Sequence, residues 1–449
     1  AQNAKERYDM RALNLTLLTD LYELTMMQGY YKKGQHETVV FDVFYRHNPC
    51  GNGYSVCAGL DQVIDYIKNL NFTYEDVDYL RSLHIFDDDF LQYLSGFHFT
   101  GDIYAIPEGS VVFPKEPLLK VIAPIMEAQL VETTILNLIN HQSLIATKTS
   151  RVVYAADGDG IMEFGLRRAQ GPDAGLYGAR AAIIGGCVGT SNVLAGQLFD
   201  VPVMGTHAHS WIMTFPDEYT AFKYYAELYP DNCTLLVDTY DTLKSGVPNA
   251  IRVFQEFKDA GKPLKKYGIR LDSGDLAYLS KKARKMLDEA GFPDASICAS
   301  NDLDEYLLHD LKAQGAAINS WGVGTHLITS KDCPSFGGVY KLSAIKNENG
   351  EFIPKIKISE NTEKITNPGN KTIYRVYEKE TGKIKADLIC FADETFDESQ
   401  DLLLFDPLET WKKTKLAGGT YTMREMLIPI FKNGECIYTS PSVTEIAEY

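Results

Sequence analysis

Two short segments hold the densest concentration of groups able to do chemistry. One is Gly205-Thr206-His207-Ala208-His209-Ser210, the other Arg270-Leu271-Asp272-Ser273-Gly274-Asp275. In a strand, residues two apart face the same way, so His207 pairs with His209 and Arg270 with Asp272. Two imidazoles on one face can share a metal ion. One of them can instead serve as nucleophile or proton carrier, because neutral imidazole is available near neutral pH. A hydrogen-bonded structural pair is the third option, and the motif does not choose among them. Arg270 can grip a carboxylate or phosphate with two parallel N–H bonds. Asp272 can orient sugar hydroxyls or a magnesium-bound water. Ser273 or Asp275 can cap the helix that follows, whose N-terminus attracts anions.

Weaker signals accompany these. Phe164 with Arg167 and Arg168 offers an aromatic face beside cations, which suits a flat anionic ring. Gly322-Val323-Gly324-Thr325 and Phe336-Gly337-Gly338 are glycine-bearing segments of the kind whose backbone N–H groups hold phosphate. Asp238 and Asp241 can hold ribose or magnesium, or only begin a helix.

These residues need a scaffold, and the middle of the chain supplies a repeating one. Eight short apolar runs each end in a polar or glycine-rich cluster: 160–168, 181–190, 201–210, 233–241, 267–275, 295–302, 318–326 and 337–344. Helical stripes fill the gaps, such as Leu276, Leu279, Ala283, Met286 and Ala290 before Gly291. Strands alternating with helices pair in parallel, and about eight such units close into a barrel with its active site at the strands' C-terminal ends. Arg167, Thr206, His207, His209, Asp238, Asp241, Arg270, Asp272, Asn301 and Thr325 all fall at such ends.

The flanks read differently. A helix from Leu21 to Gly34, a strand over 38–45 and a helix near 60–70 predict a mixed α/β domain over 1–140. The barrel then spans 141–345. Turns at Asn349-Gly350 and Pro368-Gly369 separate strands such as 352–358 and 371–378, so 346–449 reads as a smaller β-rich domain. It ends in a helix near Met423, and part of it is expected to pack back on the N-terminal domain. The fold class is therefore α/β: an irregular β/α barrel between an N-terminal α/β domain and a smaller β-rich C-terminal domain.

Composition narrows the function classes. Among 449 residues, 60 are acidic and 44 basic, a formal net charge of −16, with a pI near 5.1. No basic face for nucleic acid is expected, whereas small anions need only local cations and N–H groups. The eight cysteines contain no CxxC pair, which argues against a zinc site of usual spacing. No apolar run approaches the roughly 20 residues of a membrane span, and the polar stretch Ala1 to Asp9 lacks a signal core. A reducing cytoplasm is the expected location.

At the same residues the chain resembles the nicotinate phosphoribosyltransferase family. The likeness covers nearly the whole sequence and rests on several long motifs in one order: LLTDLYELTMM (17–27), FGLRRAQGPD (164–173), GTSNVLAG (189–196), GTHAHS (205–210), RLDSGDL (270–276) and SNDLD (300–304). The resemblance implies transfer of phosphoribose from phosphoribosyl pyrophosphate to nicotinate, with Mg2+, coupled to ATP hydrolysis in NAD biosynthesis. It implies a head-to-tail homodimer with shared active sites. It makes His209 the phosphorylated histidine and gives Asp238 and Asp272 catalytic parts on the phosphoribosyl side. Phe164 and Tyr22 (from the partner subunit) would sandwich the ring, with Thr206, Arg270 and Ser191 also on the nicotinate side. Arg167, Gly324, Thr325, Gly337 and Gly338 would take the phosphoribosyl pyrophosphate, with magnesium held through substrate phosphates. The nicotinamide-using branch tends to carry Asp at the Ser191 position, where it would repel nicotinate. The alternatives are that nicotinamide-using relative, a metal-dependent barrel hydrolase built on His207, His209 and His326, and a catalytically silent nucleotide-binding relative.

Overall fold

The computed structural model describes residues 14–449 except 263, 362–363 and 407–408; the stretch Ala1–Asp9 lies outside the described residues. The chain forms two compact units. One comprises Leu144–Pro334 and Ser442–Tyr449; the other comprises residues 14–143 and Ser335–Pro441.

The first unit is built on a six-stranded parallel sheet. Its spatial order is Gly189–Thr190, Gly160–Glu163, Ser320–Val323, Ser296–Ala299, Tyr267–Leu271 and Cys233–Leu236. From Cys233 onward the strands lie side by side in chain order. The last, Ser320–Val323, then pairs with the first, Gly160–Glu163, with Trp321 opposite Ile161. First-beside-last pairing is barrel connectivity. A lone parallel bridge, Thr190 to Val203, extends the other end. Regular pairing is not continued from Val203 to Cys233, so the sheet is a half-barrel. Helices Val247–Asp259, Leu276–Glu289 and Glu305–Ala313 connect the later strands. Asp275 caps the second of these by accepting from the Tyr278 N–H at 2.9 Å, and Gly291, at φ 83°, follows its end. That conformation is free for glycine and strained for other residues.

Three expectations within this unit need correction. The run 181–190 is not one strand: Ala181–Ile184 finishes the helix Pro172–Ile184, and only Gly189–Thr190 is extended. Its alanine-rich apolar run serves a buried helix as well as a strand. The segment 201–210 is mostly loop, and His209 opens a short helix, His209–Thr214. The run 337–344 is not an eighth barrel strand: it belongs to Gly338–Lys346 in the other unit.

There it pairs antiparallel with Thr38–Tyr45, an inner strand of a seven-stranded sheet. Leu119–Pro124 pairs antiparallel on the other side of Thr38–Tyr45. All but the first residue of Thr38–Tyr45 are buried, which explains its nearly unbroken apolar run. The exception in type, Asp42, pairs with Lys371 at 2.7 Å. The C-terminal segment joins the same sheet through Ile428–Lys432, which pairs with Asp102–Ala105. Met423 lies in the strand Tyr421–Glu425, not in a helix. The final helix is Val443–Glu448, closed by a Ser442/Glu445 capping box. No helix among the described residues is long and apolar enough to cross a membrane.

Candidate active site

Parallel strands bring their C-terminal ends to one rim, and the half-barrel rim opens into a cavity of about 360 Å3. Phe164, Arg167, Ser191, Thr206, His209, Arg270, Asp272, Gly324 and Thr325 all line it. Most of these residues converge because they follow, or nearly end, a strand of one sheet; Thr206 and His209 follow only the lone bridge at Val203.

Arg270 organises the centre. Its Nε donates to Ser300 Oγ at 3.0 Å, one terminal nitrogen to Thr206 Oγ1 and to the His207 carbonyl at 3.3 Å, and the other to Asp272 Oδ1 at 3.3 Å. Ser300 Oγ also donates to Asp272 Oδ1. The guanidinium therefore welds the ends of three segments together, and its second terminal nitrogen retains one N–H for a ligand.

His209 stands between a hydroxyl and two carboxylates. Its Nδ1 is 2.9 Å from Thr239 Oγ1. Its Nε2 lies 3.7 Å from Asp272 Oδ2 and 4.0 Å from Asp238 Oδ1. Asp238 is fixed by its other oxygen, which accepts from the Asp272 N–H at 2.8 Å and from Ser273 Oγ at 2.7 Å. Its Oδ1 is buried and has no hydrogen-bond partner. A buried carboxylate oxygen left unpaired is costly, so this edge of the cavity is prepared for positive charge. Two protein oxygens fall short of the about six that a magnesium ion takes. They fit an ion that draws its remaining ligands from phosphates and water. Asp241 plays a different part, accepting from the Lys244 N–H at 2.9 Å to start a helical turn.

His207 lines the same cavity as His209, but it lies on the loop just before the helix that His209 opens, so the two are not successive same-face positions of a strand. Its Nε2 accepts from the Leu236 N–H at 3.3 Å, so Nδ1 carries the proton and faces Ala208 O at 3.4 Å. Its ring packs edge-on against Tyr225. Burial, opposed by the bond to Ala208 and assisted by the Arg270 cation, pushes this imidazole down to about 4. His326 is also engaged, with Asp304 and Lys331 each at 3.1 Å. The three histidines therefore do not assemble into the hydrolase-type metal cluster. Among the described residues no group of three or more His, Cys, Asp or Glu is placed to hold a metal.

The aromatic wall is Phe164, whose N–H donates to Val323 O at 2.8 Å. Arg167 and Arg168 follow on a short 3-10 turn, exposed at the cavity edge. Thr325 opens a short helix, Thr325–Ile328, after Gly324. Tyr22, Gly337 and Gly338 belong to the other unit. Tyr22 is exposed on the helix Leu21–Lys33, and Gly338 opens the strand Gly338–Lys346.

Sequence reasoning missed two supporting residues. Thr239 holds the His209 ring, and only its place beside Asp238 hinted at a role. Glu163 is fully buried, accepting from the Gly165 N–H and from Thr190 Oγ1 at 2.6 Å. Burial pushes its carboxyl up against those two bonds. It ties the backbone just after Phe164 to the side chain just before Ser191, and its signal was a lone carboxylate inside the apolar run GIMEFG.

Comparison with known proteins agrees over the full length. The model of the nicotinate phosphoribosyltransferase family matches residues 160–381, that of its N-terminal domain 17–140, and that of its C-terminal domain 370–449. The nicotinate phosphoribosyltransferase of Bacillus subtilis is 48% identical over 443 residues, covering 98% of this chain and 89% of that protein. The chain belongs to the nicotinate phosphoribosyltransferase family. The crystal structure of human nicotinic acid phosphoribosyltransferase superposes with a TM-score of 0.82 at 29% identity, covering 96% of this chain and 92% of that one. The nicotinate-nucleotide pyrophosphorylase of Pyrococcus furiosus shares the fold, with a TM-score of 0.73 at 23% identity and coverage of 97% and 94%. The cavity at the half-barrel rim is lined by residues from five of the six motifs that carry the resemblance, all but 17–27.

Proposed function

We propose that this enzyme forms nicotinate mononucleotide and pyrophosphate from nicotinate and phosphoribosyl pyrophosphate, in NAD biosynthesis. The observation that carries this reading is the Arg270 weld: one cation fixes Thr206, Ser300 and Asp272 around a cavity walled by Phe164. The pyridine nitrogen has a free lone pair and needs no general base. Catalysis then rests on orientation and on stabilising charge at the sugar and departing pyrophosphate. Phe164 would stack the ring, with Thr206, Arg270 and Ser191 on the carboxylate side. Arg167, Gly324 and Thr325 would hold phosphoribosyl pyrophosphate. Ser191 presents no charge to a pyridine carboxylate, which favours nicotinate over nicotinamide.

ATP enters as a phosphoryl donor to His209. Its Nε2 beside Asp238 and Asp272 supports this, since those oxygens can share a Mg2+ with the phosphates of ATP or substrate. Mg2+ would neutralise developing phosphate charge. Tyr22 of the partner subunit would complete the ring site in a head-to-tail homodimer, and Gly337 and Gly338 would help to hold phosphoribosyl pyrophosphate. Exposed Val193, Leu194 and Met213 on one unit and Leu21 and Tyr22 on the other give such a dimer apolar surface to cover. Buried free thiols at Cys57, Cys187, Cys233 and Cys298 suit a reducing cytoplasm.

The test is pyrophosphate release from phosphoribosyl pyrophosphate with magnesium, comparing nicotinate, nicotinamide and quinolinate, each with and without ATP. Turnover with nicotinate that ATP strengthens is the expected result. Preference for nicotinamide would overturn the substrate assignment, and no turnover would overturn the activity.

A further inference from the structure

Of two adjacent strand-end loops on one side of the cavity, the first has backbone that ordinary residues avoid. After Ser296–Ala299, Asn301 and Asp302 both have left-handed backbone, at φ 93° and 31°. After Ser320–Val323, Gly324 turns at φ −114° and ψ −102°. Left-handed non-glycine backbone persists only where its surroundings over-determine it. On its inner side the first loop is held by Ser300, whose N–H donates to Leu271 O at 2.9 Å and whose hydroxyl contacts Arg270 and Asp272.

Its outer end is held by a side-chain chain that the reaction chemistry does not use. Asp304 caps the helix Glu305–Ala313 with Oδ1, accepting from the Leu307 N–H at 2.8 Å. Its Oδ2 lies 3.1 Å from His326 Nδ1, and His326 Nε2 lies 3.1 Å from Lys331 Nζ. An ammonium has only donors, so Nε2 is the acceptor and Nδ1 donates to Asp304. Lys331 also donates its backbone N–H to His326 O at 3.1 Å. The chain Lys331, His326, Asp304 thus fastens the loop carrying Asn301 and Asp302 to the loop carrying Gly324 and Thr325. Asn301, Asp302, Gly324 and Thr325 all line the cavity; Asp304 and His326 do not.

We propose that Asp304 and His326 are positioning residues that hold these two loops in register to receive phosphoribosyl pyrophosphate. The assignment of that substrate rests on the function proposed above. The two residues touch no reacting atom; they fix the spacing of backbone groups that do. A misplacement of an ångström at such a site is costly in rate or affinity.

The test compares His326→Leu with His326→Asn, whose amide N–H can still donate to Asp304. Hydrogen exchange over residues 300–304 and 324–330 is followed during titration with phosphoribosyl pyrophosphate and magnesium, and KM is measured for each substrate. His326→Leu should speed exchange in both loops and raise the concentration needed for protection, and the KM for phosphoribosyl pyrophosphate, about tenfold. The nicotinate KM should stay within about twofold, and His326→Asn should restore wild-type behaviour. Unchanged exchange at 300–304, or an equal rise in both KM values that Asn does not rescue, would overturn the proposal. Exchange and protection are read without turnover, so a protein that binds but does not transfer would defeat the proposed activity while leaving this test decisive.

Discussion

A Cβ on Gly322 would lie 2.5 Å from Cδ2 of Phe164, so the Phe164 ring fills the space that any side chain at position 322 would need. Gly322 sits within the strand Ser320–Val323, next to the strand that ends at Glu163. It is needed for room rather than for turning. Gly322→Ala should cost about 1–3 kcal/mol of stability, as overpacking does, and should displace the ring. We expect the nicotinate KM to rise about tenfold with a smaller change in kcat. Adding Phe164→Leu should recover part of the stability while leaving nicotinate binding weak. Steady-state kinetics and urea denaturation check both, and a fully active Gly322→Ala enzyme would remove Phe164 from the ring site.

His209→Ala should abolish stimulation by ATP and leave slow ATP-independent transfer. The reason is that Nε2 of His209 is the imidazole nitrogen aimed at the carboxylate pair, whereas the Leu236 N–H already occupies Nε2 of His207. Thr239→Val should weaken the ATP effect without abolishing it, because it removes only the hydroxyl beside Nδ1. Initial rates with and without ATP decide this. Full ATP stimulation in His209→Ala would end the phosphohistidine proposal.

Arg270→Ala should damage transfer with or without ATP, lowering kcat/KM by at least about a hundredfold. Truncation leaves Thr206, Ser300 and Asp272 without their common partner, a loss on the order of 3 kcal/mol or more. Arg270→Lys should recover little, since one ammonium cannot reproduce a forked set of donors. A Lys variant with near-normal kcat/KM would show that charge alone suffices.

Ser191→Asp tests the choice of substrate. A carboxylate at this cavity position should raise the nicotinate KM at least about tenfold by repulsion, and improve nicotinamide relative to nicotinate. The ratio of kcat/KM for the two substrates is the measurement. An unchanged ratio would place Ser191 away from the carboxyl.

His207 gives a pH prediction. Its folded-state pKa, about 4, lies below the unfolded value near 6.5. The unfolded chain therefore binds the proton first as pH falls. The neutral buried ring contributes its full stability above about pH 6.5 and loses it progressively down to about 4. By pH 5 the loss should be about 2 kcal/mol. Urea denaturation at pH 7 and pH 5 should show it. His207→Gln should be less stable at pH 7 but should lack this part of the pH slope.

Much of this was readable without coordinates. Parallel β/α alternation placed Arg270, Asp272 and Thr325 at strand ends, because period and turn residues are local properties. The helix Leu21–Lys33 and the strand Thr38–Tyr45 were legible for the same reason. Long motifs in a fixed order carried the family. What the sequence could not decide was which partner each segment meets. An apolar run such as 337–344 suits a barrel or an antiparallel sheet equally, and only its pairing with Thr38–Tyr45 settled that. His207 and His209 look equivalent in sequence. Tertiary structure separates them, because the N–H of Leu236 claims one ring while Thr239, Asp238 and Asp272 surround the other. Local pattern determines what a residue can do, and long-range hydrogen bonds and burial determine which of those possibilities it takes.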